Sequence, residues 1–295
     1  MSTAVAKPKS ANAVAVITGA GSGIGASFAE QAFQLGYRLL LIDISSDNLD
    51  AVRSKLLESS EDPSVHERVE LLVANLADRP TVESLAERLA QDADIELLTN
   101  CAGFGEFVEF VDVDVKRHLD MIALHVETPM RLIHAVLPNM KQRHHGGIIN
   151  VASLGAFAPC AQSVQYAATK SYLIVFSEAL QEELLGTGVR VQALCPGFVR
   201  TGFHATESMK NFHQRKVPNN LWTTPDQVAA CSLRSLFSGR VVVIPGWQSR
   251  VLGLVTRMVL LKPFVRAATR PKPGRNSSPL APPIADNAVM GIAEE

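Results

Sequence analysis

Seven short apolar runs recur along the chain, and they constrain its fold more than any other feature of the sequence. They begin near residues 13, 37, 69, 95, 147, 189 and 240, and valine, leucine and isoleucine dominate them. Unbroken apolar runs of this length are typical of strands buried on both faces of a sheet. Longer stretches with helical spacing separate the runs, so the sequence predicts one doubly wound parallel sheet with helices on both faces.

The predicted domain covers residues 13–247 without an internal linker. A hydrophobic content of 47% over 295 residues is enough for one large core. Residues 1–12 are predicted to be a flexible tail, and residues 271–295, rich in proline and serine, to be disordered. The tail lacks the apolar stretch of a secretory signal, and the four cysteines lie far apart. We therefore expect a cytoplasmic protein with reduced thiols and no metal site.

A glycine-rich stretch, TGAGSGIG at residues 18–25, separates the first predicted strand from the first predicted helix. Glycines at such a turn let the backbone approach a phosphate, and the helix N-terminus supplies free N–H groups. Taken alone, the run fits an ordinary tight turn equally well. Its spacing matches T-G-x-x-x-G-x-G and also G-x-G-x-x-A, so the glycines leave the dinucleotide-binding family open.

Asp43 ends the second apolar run, 20 residues after Gly23. A carboxylate at this position can accept hydrogen bonds from an adenosine ribose. A 2′-phosphate would meet a like charge there, and the next residue is Ile44 rather than an arginine. Because Arg38 lies at the opposite end of the same run, the sequence favours NAD over NADP.

Ser153, Tyr166 and Lys170 form the candidate catalytic set. Tyr166 and Lys170 are four residues apart, so on a helix they share one face. A phenol titrates near pH 10, and a neighbouring ammonium is expected to lower that pKa and produce a usable acid/base. The common spacing also fits a solvated lysine beside a half-buried tyrosine. Ser153 closes a predicted strand, where its hydroxyl could hold the reacting oxygen.

These motifs resemble those of the short-chain dehydrogenases/reductases over residues 13 to about 245. NCAG at 100–103 and PGFVRT at 196–201 extend the match. The resemblance implies a single Rossmann-type domain with Tyr166 as proton donor or acceptor, Lys170 as its partner and Ser153 as carbonyl anchor. It implies the following cofactor-binding residues: Thr18, Gly19, Ser22, Gly23, Ile24, Gly25, Asp43, Asn75, Leu76, Asn100, Ala102, Gly103, Tyr166, Lys170, Pro196, Gly197, Val199 and Thr201.

Three positions depart from the family pattern. Cys101 replaces the second asparagine of NNAG, and Asn75 replaces an aspartate that contacts adenine. His125 stands where the family usually has an asparagine that orients a water leading from Lys170. One interpretation is a buried, hydrogen-bonded histidine that fills the bend before Pro129. We favour the other, in which the imidazole serves the relay and adds a titration near pH 6.5, because the remaining catalytic residues are intact.

Two segments bear on substrate and location. Residues 202–222, called the lid below, have the length and polarity of a mobile cover over the substrate. Residues 248–270 are apolar and basic without an acid, and their charges exclude a transmembrane helix. The segment could lie on an anionic membrane or pack on the domain or on a second copy. The net charge of −1 argues against nucleic-acid binding.

The sequence therefore predicts hydride transfer between a nicotinamide and a small-molecule ketone or secondary alcohol, with a hydrophobic or lipid-like substrate preferred. The alternative is an impaired relative that senses or binds the nucleotide without turnover. The family resemblance also implies a homo-oligomer.

Overall fold

The computed structural model describes residues 6–58, 65–209, 211–212 and 217–257, and it confirms the predicted fold class. Its centre is a seven-stranded sheet in the order β3-β2-β1-β4-β5-β6-β9, in which every pairing is parallel. The strands of this sheet are β1 Val14–Thr18, β2 Arg38–Asp43, β3 Val69–Val73, β4 Ile95–Asn100, β5 Gly146–Val151, β6 Val189–Leu194 and β9 Val242–Val243. Each of the seven overlaps one of the predicted apolar runs, and only β5 begins a residue earlier, at Gly146.

Helices cover both faces of the sheet, and each face has its own large hydrophobic cluster. They are α1 Gly23–Gln34, α2 Ser46–Glu58, α3 Val65–Arg68, α4 Arg79–Gln91, α5 Val115–Ile122, α6 Thr128–Gln142, α7 Val164–Glu183, α8 Pro225–Ser235 and α9 Trp247–Arg257. Local sequence sets several of their starts. Asp78 accepts the backbone N–H of Thr81 to cap α4, and Thr224 and Gln227 form a capping box on α8.

The order of the strands in the sheet determines where a binding crevice opens. Successive strands run outward from β1 to β3, and the chain then returns to β4 on the other side of β1. At such a reversal the loops leave the carboxyl ends of β1 and β4 in opposite directions and open a crevice. The glycine turn follows β1 and the NCAG stretch follows β4, so the fold brings both motifs to this crevice.

Two smaller features flank the crevice. A π-helical turn, Ala123–Glu127, joins α5 to α6. Beyond β6, a two-stranded pair of β7 (Phe198–Val199) and β8 (Trp222–Thr223) brackets the lid, whose described residues form short 3-10 turns.

The chain ends depart in part from the sequence prediction. Residues 6–12 are held to the domain rather than loose: Ala6 is buried, and the backbone N–H groups of Lys9 and Ser10 donate to the Glu96 carboxylate. Within 248–270 the structure describes α9 as far as Arg257. The rest of that segment and residues 271–295 lie outside the described residues. No helix in the described ranges combines the length and apolar character that a membrane span requires.

Candidate active site

A cavity of about 1280 Å³ opens at the carboxyl ends of the strands. Most of the predicted site residues line it, from the glycine turn at one end to the catalytic set at the other. These are Gly19, Ser22, Gly23, Ile24, Asp43, Asn75, Leu76, Ala102, Gly103, Ser153, Tyr166, Lys170, Pro196, Gly197, Val199 and Thr201. One continuous cavity thus joins the phosphate cradle to the candidate chemistry.

The glycine turn has the geometry of a phosphate cradle. Gly19 and Gly23 line the cavity with positive φ values of 67° and 54°, which side chains disfavour. A Cβ on Gly19 would also collide with the backbone of Ala102, so the turn can pack this closely only with glycine there. Ser22 is the N-cap of α1, but its side chain makes no capping hydrogen bond. The first N–H groups of α1 therefore remain available to an anion at the positive end of the helix dipole. The residues present fit a dinucleotide pyrophosphate.

Asp43 is fixed beside this cradle. Its Oδ2 accepts the backbone N–H of Gly21 at 2.9 Å, and its Oδ1 accepts that of Ser45 at 3.1 Å. Both bonds orient the carboxylate at the cavity wall, next to the exposed Ile44. Arg38 begins β2 at the far end of the strand, so it lies away from this wall.

Three predicted cofactor-binding residues instead hold the fold together behind the cavity. Thr18 is buried, and its Oγ1 accepts the backbone N–H groups of Cys101 and Ala102. A Cβ on Gly25 would collide with the backbone oxygen of Gly19. Asn100, which was predicted to lie at the adenosine side, is not among the residues that line the cavity, and its buried side chain donates to Asn150 at 2.8 Å.

The structure brings Ser153, Tyr166 and Lys170 together. Ser153 Oγ accepts the Gly155 N–H at 3.1 Å, and the Ser153 hydroxyl is hydrogen bonded to the phenol of Tyr166. Lys170 is buried on the same face of α7, with Nζ 5.8 Å from the centre of the Tyr166 ring. Its ammonium donates to the carbonyl of Val151 at 2.8 Å.

The direction of the tyrosine pKa shift corrects the sequence prediction. Burial raises the pKa of Tyr166, and the hydrogen bond from Ser153 only partly opposes this rise. Burial also lowers the pKa of Lys170 to about 8. Desolvation disfavours the charged form of each group, and here it outweighs the expected stabilisation of phenolate by ammonium. The described site therefore holds a protonated phenol at neutral pH.

His125 does not fit the relay that the sequence favoured. Its Nε2 accepts the backbone N–H of Phe104 at 3.2 Å, and its Nδ1 lies 3.1 Å from Thr169 Oγ1. Both ring nitrogens are thus engaged by protein groups rather than by Lys170. Burial, and then the charge of Lys170, hold the pKa of His125 well below its usual value, so it adds no titration near pH 6.5. The buried, hydrogen-bonded interpretation matches this geometry.

The other two departures lie at the cavity. Cys101 lines it, and burial raises the pKa of this thiol to about 12, so the thiol stays protonated and a weak nucleophile. Asn75 lies at the opposite end, where its Oδ1 accepts the Ala77 N–H at 3.0 Å.

The substrate end of the cavity contains residues that sequence reasoning missed. Its lining is mainly apolar and aromatic: Phe104, Phe107, Leu154, Phe203, Met209, Phe212 and Leu252. Glu106 forms an ion pair with Arg117, whose guanidinium lies 4.5 Å from the centre of the Phe104 ring. The phenylalanines of GFGEF after NCAG were the available signal, since they directly follow a cofactor motif. Nothing in the sequence linked Arg117 to them.

Described residues of the lid contact this end of the cavity. Ser208 donates from its hydroxyl to the carbonyl of Gly105 at 2.8 Å, and its own carbonyl accepts the Phe107 N–H at 2.9 Å. Asn211 donates to the Phe107 carbonyl at 3.2 Å. The lid is therefore attached to residues 103–107, called the front loop below.

Fold and site together define a Rossmann-type oxidoreductase. The chain belongs to the short-chain dehydrogenase family, whose model matches residues 13–211. An uncharacterized oxidoreductase of Staphylococcus saprophyticus is 32% identical over 189 residues, which is 64% of this chain and 79% of that protein.

Two solved structures are similar throughout the domain. A short-chain dehydrogenase from Sphingobium yanoikuyae in complex with NADPH is 30% identical, with a TM-score of 0.72 over 82% of this chain and 92% of that one. The bulky-bulky ketone specific alcohol dehydrogenase from Comamonas testosteroni is 27% identical, with a TM-score of 0.68 over 80% and 87% of the two chains. The family, the fold and the site therefore all indicate a nicotinamide cofactor.

Proposed function

We propose that this chain interconverts a bulky, hydrophobic ketone and its secondary alcohol, with NAD as the preferred cofactor. The observation that carries the proposal is the single cavity, which runs from the glycine cradle past Ser153, Tyr166 and Lys170 to an aromatic end. Its substrate end suits an apolar molecule better than a sugar, because its lining is mainly apolar and its charged residues pair with one another, Glu106 with Arg117 and Lys116 with Asp120.

The nicotinamide, when bound, supplies or accepts the hydride. The Ser153 hydroxyl accepts the Gly155 N–H and is hydrogen bonded to the Tyr166 phenol, and its proton can turn to the reacting oxygen when a ketone occupies the site. Tyr166 lies beside it as a protonated phenol and donates its proton to the carbonyl oxygen during reduction. Lys170 places a positive charge below the ring, where it stabilises the phenolate that this transfer leaves. The raised pKa of Tyr166 favours reduction near neutral pH.

Asp43 supports the choice of NAD. Two unit charges about 4 Å apart repel by about 4 kcal/mol at an effective dielectric constant of about 20. Asp43 is half-buried, so solvent reduces this value, and we expect a preference for NADH over NADPH of at least about tenfold. The Sphingobium yanoikuyae relative was solved with NADPH, which makes the cofactor comparison a direct test of the Asp43 argument.

The test uses purified protein with a panel of bulky ketones and each cofactor. We expect NADH-dependent turnover that falls at least about a thousandfold in Tyr166→Phe. Tyr172→Phe is the matched control, because Tyr172 lies on the same helix but stacks on Phe176 outside the cavity. An Asp43→Ser variant should show a smaller preference for NADH over NADPH than the wild type.

Two outcomes would contradict the proposal. Binding of NADH without turnover of any ketone or alcohol would favour the nucleotide-binding alternative. A preference for NADPH in the wild type would refute the role given to Asp43.

We also propose that α9 contacts an anionic membrane surface. Its inner residues pack on the domain: Ser249 is buried, and Leu252 lines the cavity. Outward, Trp247 is 70% exposed and Val251 is 53% exposed, with Arg250 beside them. An exposed tryptophan, an aliphatic side chain and a cation on one short helix suit a lipid interface.

The membrane proposal is tested by pelleting the full chain with phosphatidylserine vesicles and with phosphatidylcholine vesicles. We expect binding to the anionic vesicles that a Trp247→Ser/Val251→Ser variant loses. Leu185→Ser, which removes an exposed apolar side chain away from α9, is the control. Equal pelleting of the wild type and the double variant would contradict the proposal.

A homodimer is the third proposal. Helix α5 exposes Val115, Leu119 and Ile122 at helical spacing, and α7 beside it exposes Val164 and Val175. Such neighbouring apolar stripes suit a second copy of the chain. Light scattering should give a dimer mass for the wild type and a monomer mass for Leu119→Glu/Val175→Glu; equal masses would contradict the proposal.

A further inference from the structure

His125 lies at a structurally unusual point of the chain. It is carried by the π-helical turn Ala123–Glu127, and only 1% of it is exposed to solvent. A π-helical turn inserts a residue into a helix and is frequent at functional sites. Here the insertion directs the imidazole between the front loop and α7. Its ring centre lies 5.8 Å from that of Phe104 and 6.0 Å from that of Tyr166.

A directed chain of hydrogen bonds passes through the imidazole. Because Nε2 accepts the Phe104 N–H, the ring proton resides on Nδ1, which donates to Thr169 Oγ1. The Thr169 hydroxyl donates in turn to the carbonyl of Tyr166 at 3.0 Å. This series of hydrogen bonds links the front loop to the turn of α7 that carries the catalytic tyrosine.

The front loop lies directly against His125. A Cβ at Gly103 would meet Nε2 at 2.6 Å, so this approach requires a glycine. On its other side the same loop holds the lid, through Gly105 and Phe107. The imidazole therefore contacts one side of the front loop, and the other side of the same loop is hydrogen bonded to the lid.

We propose that His125 is a positioning residue: its neutral imidazole fixes the front loop, and with it the lid, relative to Tyr166, and so determines how tightly a ketone is held. The inference rests on the proposed function for its kinetic consequences. It assigns to His125 no proton transfer and no contact with Lys170.

Two amide variants separate the two hydrogen bonds. The Gln side chain places its Oε1 where Nε2 stands and can still accept the Phe104 N–H. The Asn side chain is shorter and can reach only the Thr169 side. We therefore expect His125→Asn to raise the KM of a ketone about tenfold, and His125→Gln to stay within about threefold of the wild type. The Kd for NADH should be unchanged in both.

The relay interpretation predicts the opposite order, because His125→Asn restores the usual residue of the family. A wild-type KM and kcat in His125→Asn, with losses in His125→Gln, would overturn the proposal. So would an acid limb of the pH–rate profile that His125→Gln removes. Thr169→Val removes the second hydrogen-bond partner of His125. If the linked hydrogen bonds act as a unit, combining it with His125→Asn should raise the KM little beyond the effect of His125→Asn alone.

A readout without turnover keeps the inference separate from the proposed function. Limited proteolysis of the full chain should cut within the lid faster in His125→Asn than in the wild type or in His125→Gln. Failure of all three proteins to reduce any ketone would refute the proposed function alone. Equal cleavage rates in the lid would refute the role of His125 whatever the enzyme does.

Discussion

Replacing Lys170 by methionine should stabilise the protein while it abolishes turnover. Lys170 is 6% exposed, and burial lowers its pKa from 10.5 to about 8. Each pKa unit corresponds to about 1.4 kcal/mol, so holding this ammonium in the folded state costs about 3 kcal/mol at pH 7. Losing the hydrogen bond to Val151 offsets about 1–2 kcal/mol of that gain. We expect Lys170→Met to raise the free energy of unfolding by about 1–2 kcal/mol.

The pH dependence gives the sharper check. The folded-state pKa of Lys170 lies below its unfolded value, so between about pH 8 and 10.5 the unfolded chain binds more protons. The free energy of unfolding of the wild type therefore rises relative to that of the variant as pH rises through this window. Below about pH 8 the difference between the two free energies is constant.

Urea unfolding at pH 7 and pH 10, at one protein concentration, measures both effects. Lys141→Met, which removes an exposed lysine, should change the free energy of unfolding by about 0.5 kcal/mol or less at either pH. A Lys170→Met protein that is less stable than the wild type at pH 7, with the same gap at pH 10, would refute the reasoning.

Three further expectations follow from the site. Asn100→Ala should lower the free energy of unfolding by about 1–3 kcal/mol and leave the Kd for NADH unchanged, because this side chain serves the sheet. In Gly105→Ala the added Cβ lies 2.6 Å from Cζ of Phe203, so the KM of a ketone should rise several-fold; Gly202→Ala, with nothing within 4 Å, is the control. The raised pKa of Tyr166 predicts that alcohol oxidation increases and ketone reduction decreases as pH rises, in profiles with NAD and NADH.

The strands were predictable because their signal is local. Each buried strand of a parallel sheet must be apolar throughout, and the runs show this directly. The run at 240 is the informative exception, since only Val242–Val243 form strand. This strand lies at the edge of the sheet and pairs with β6 only through Val242 and Val243.

The orientation and surroundings of the site residues were less predictable, because they depend on distant parts of the chain. Whether Asn100 faces the cofactor or the sheet depends on pairing with a strand 50 residues away. The partners of His125 lie 21 and 44 residues away. The sign of the Tyr166 pKa shift depends on burial by elements from all along the chain. Motif spacing identifies which residues meet, but desolvation and side-chain direction arise only from tertiary packing.

The split within the glycine motif has a consequence for evolution. Thr18 and Gly25 act inside the fold, whereas Ser22 and Gly23 face the cavity. Selection for folding alone would retain the first pair in a descendant that had abandoned its nucleotide, while the second pair and Asp43 would be free to drift. Among duplicated copies of such a gene, loss of the cavity-facing positions beside an intact inner pair would mark a protein that has left redox chemistry but kept its architecture.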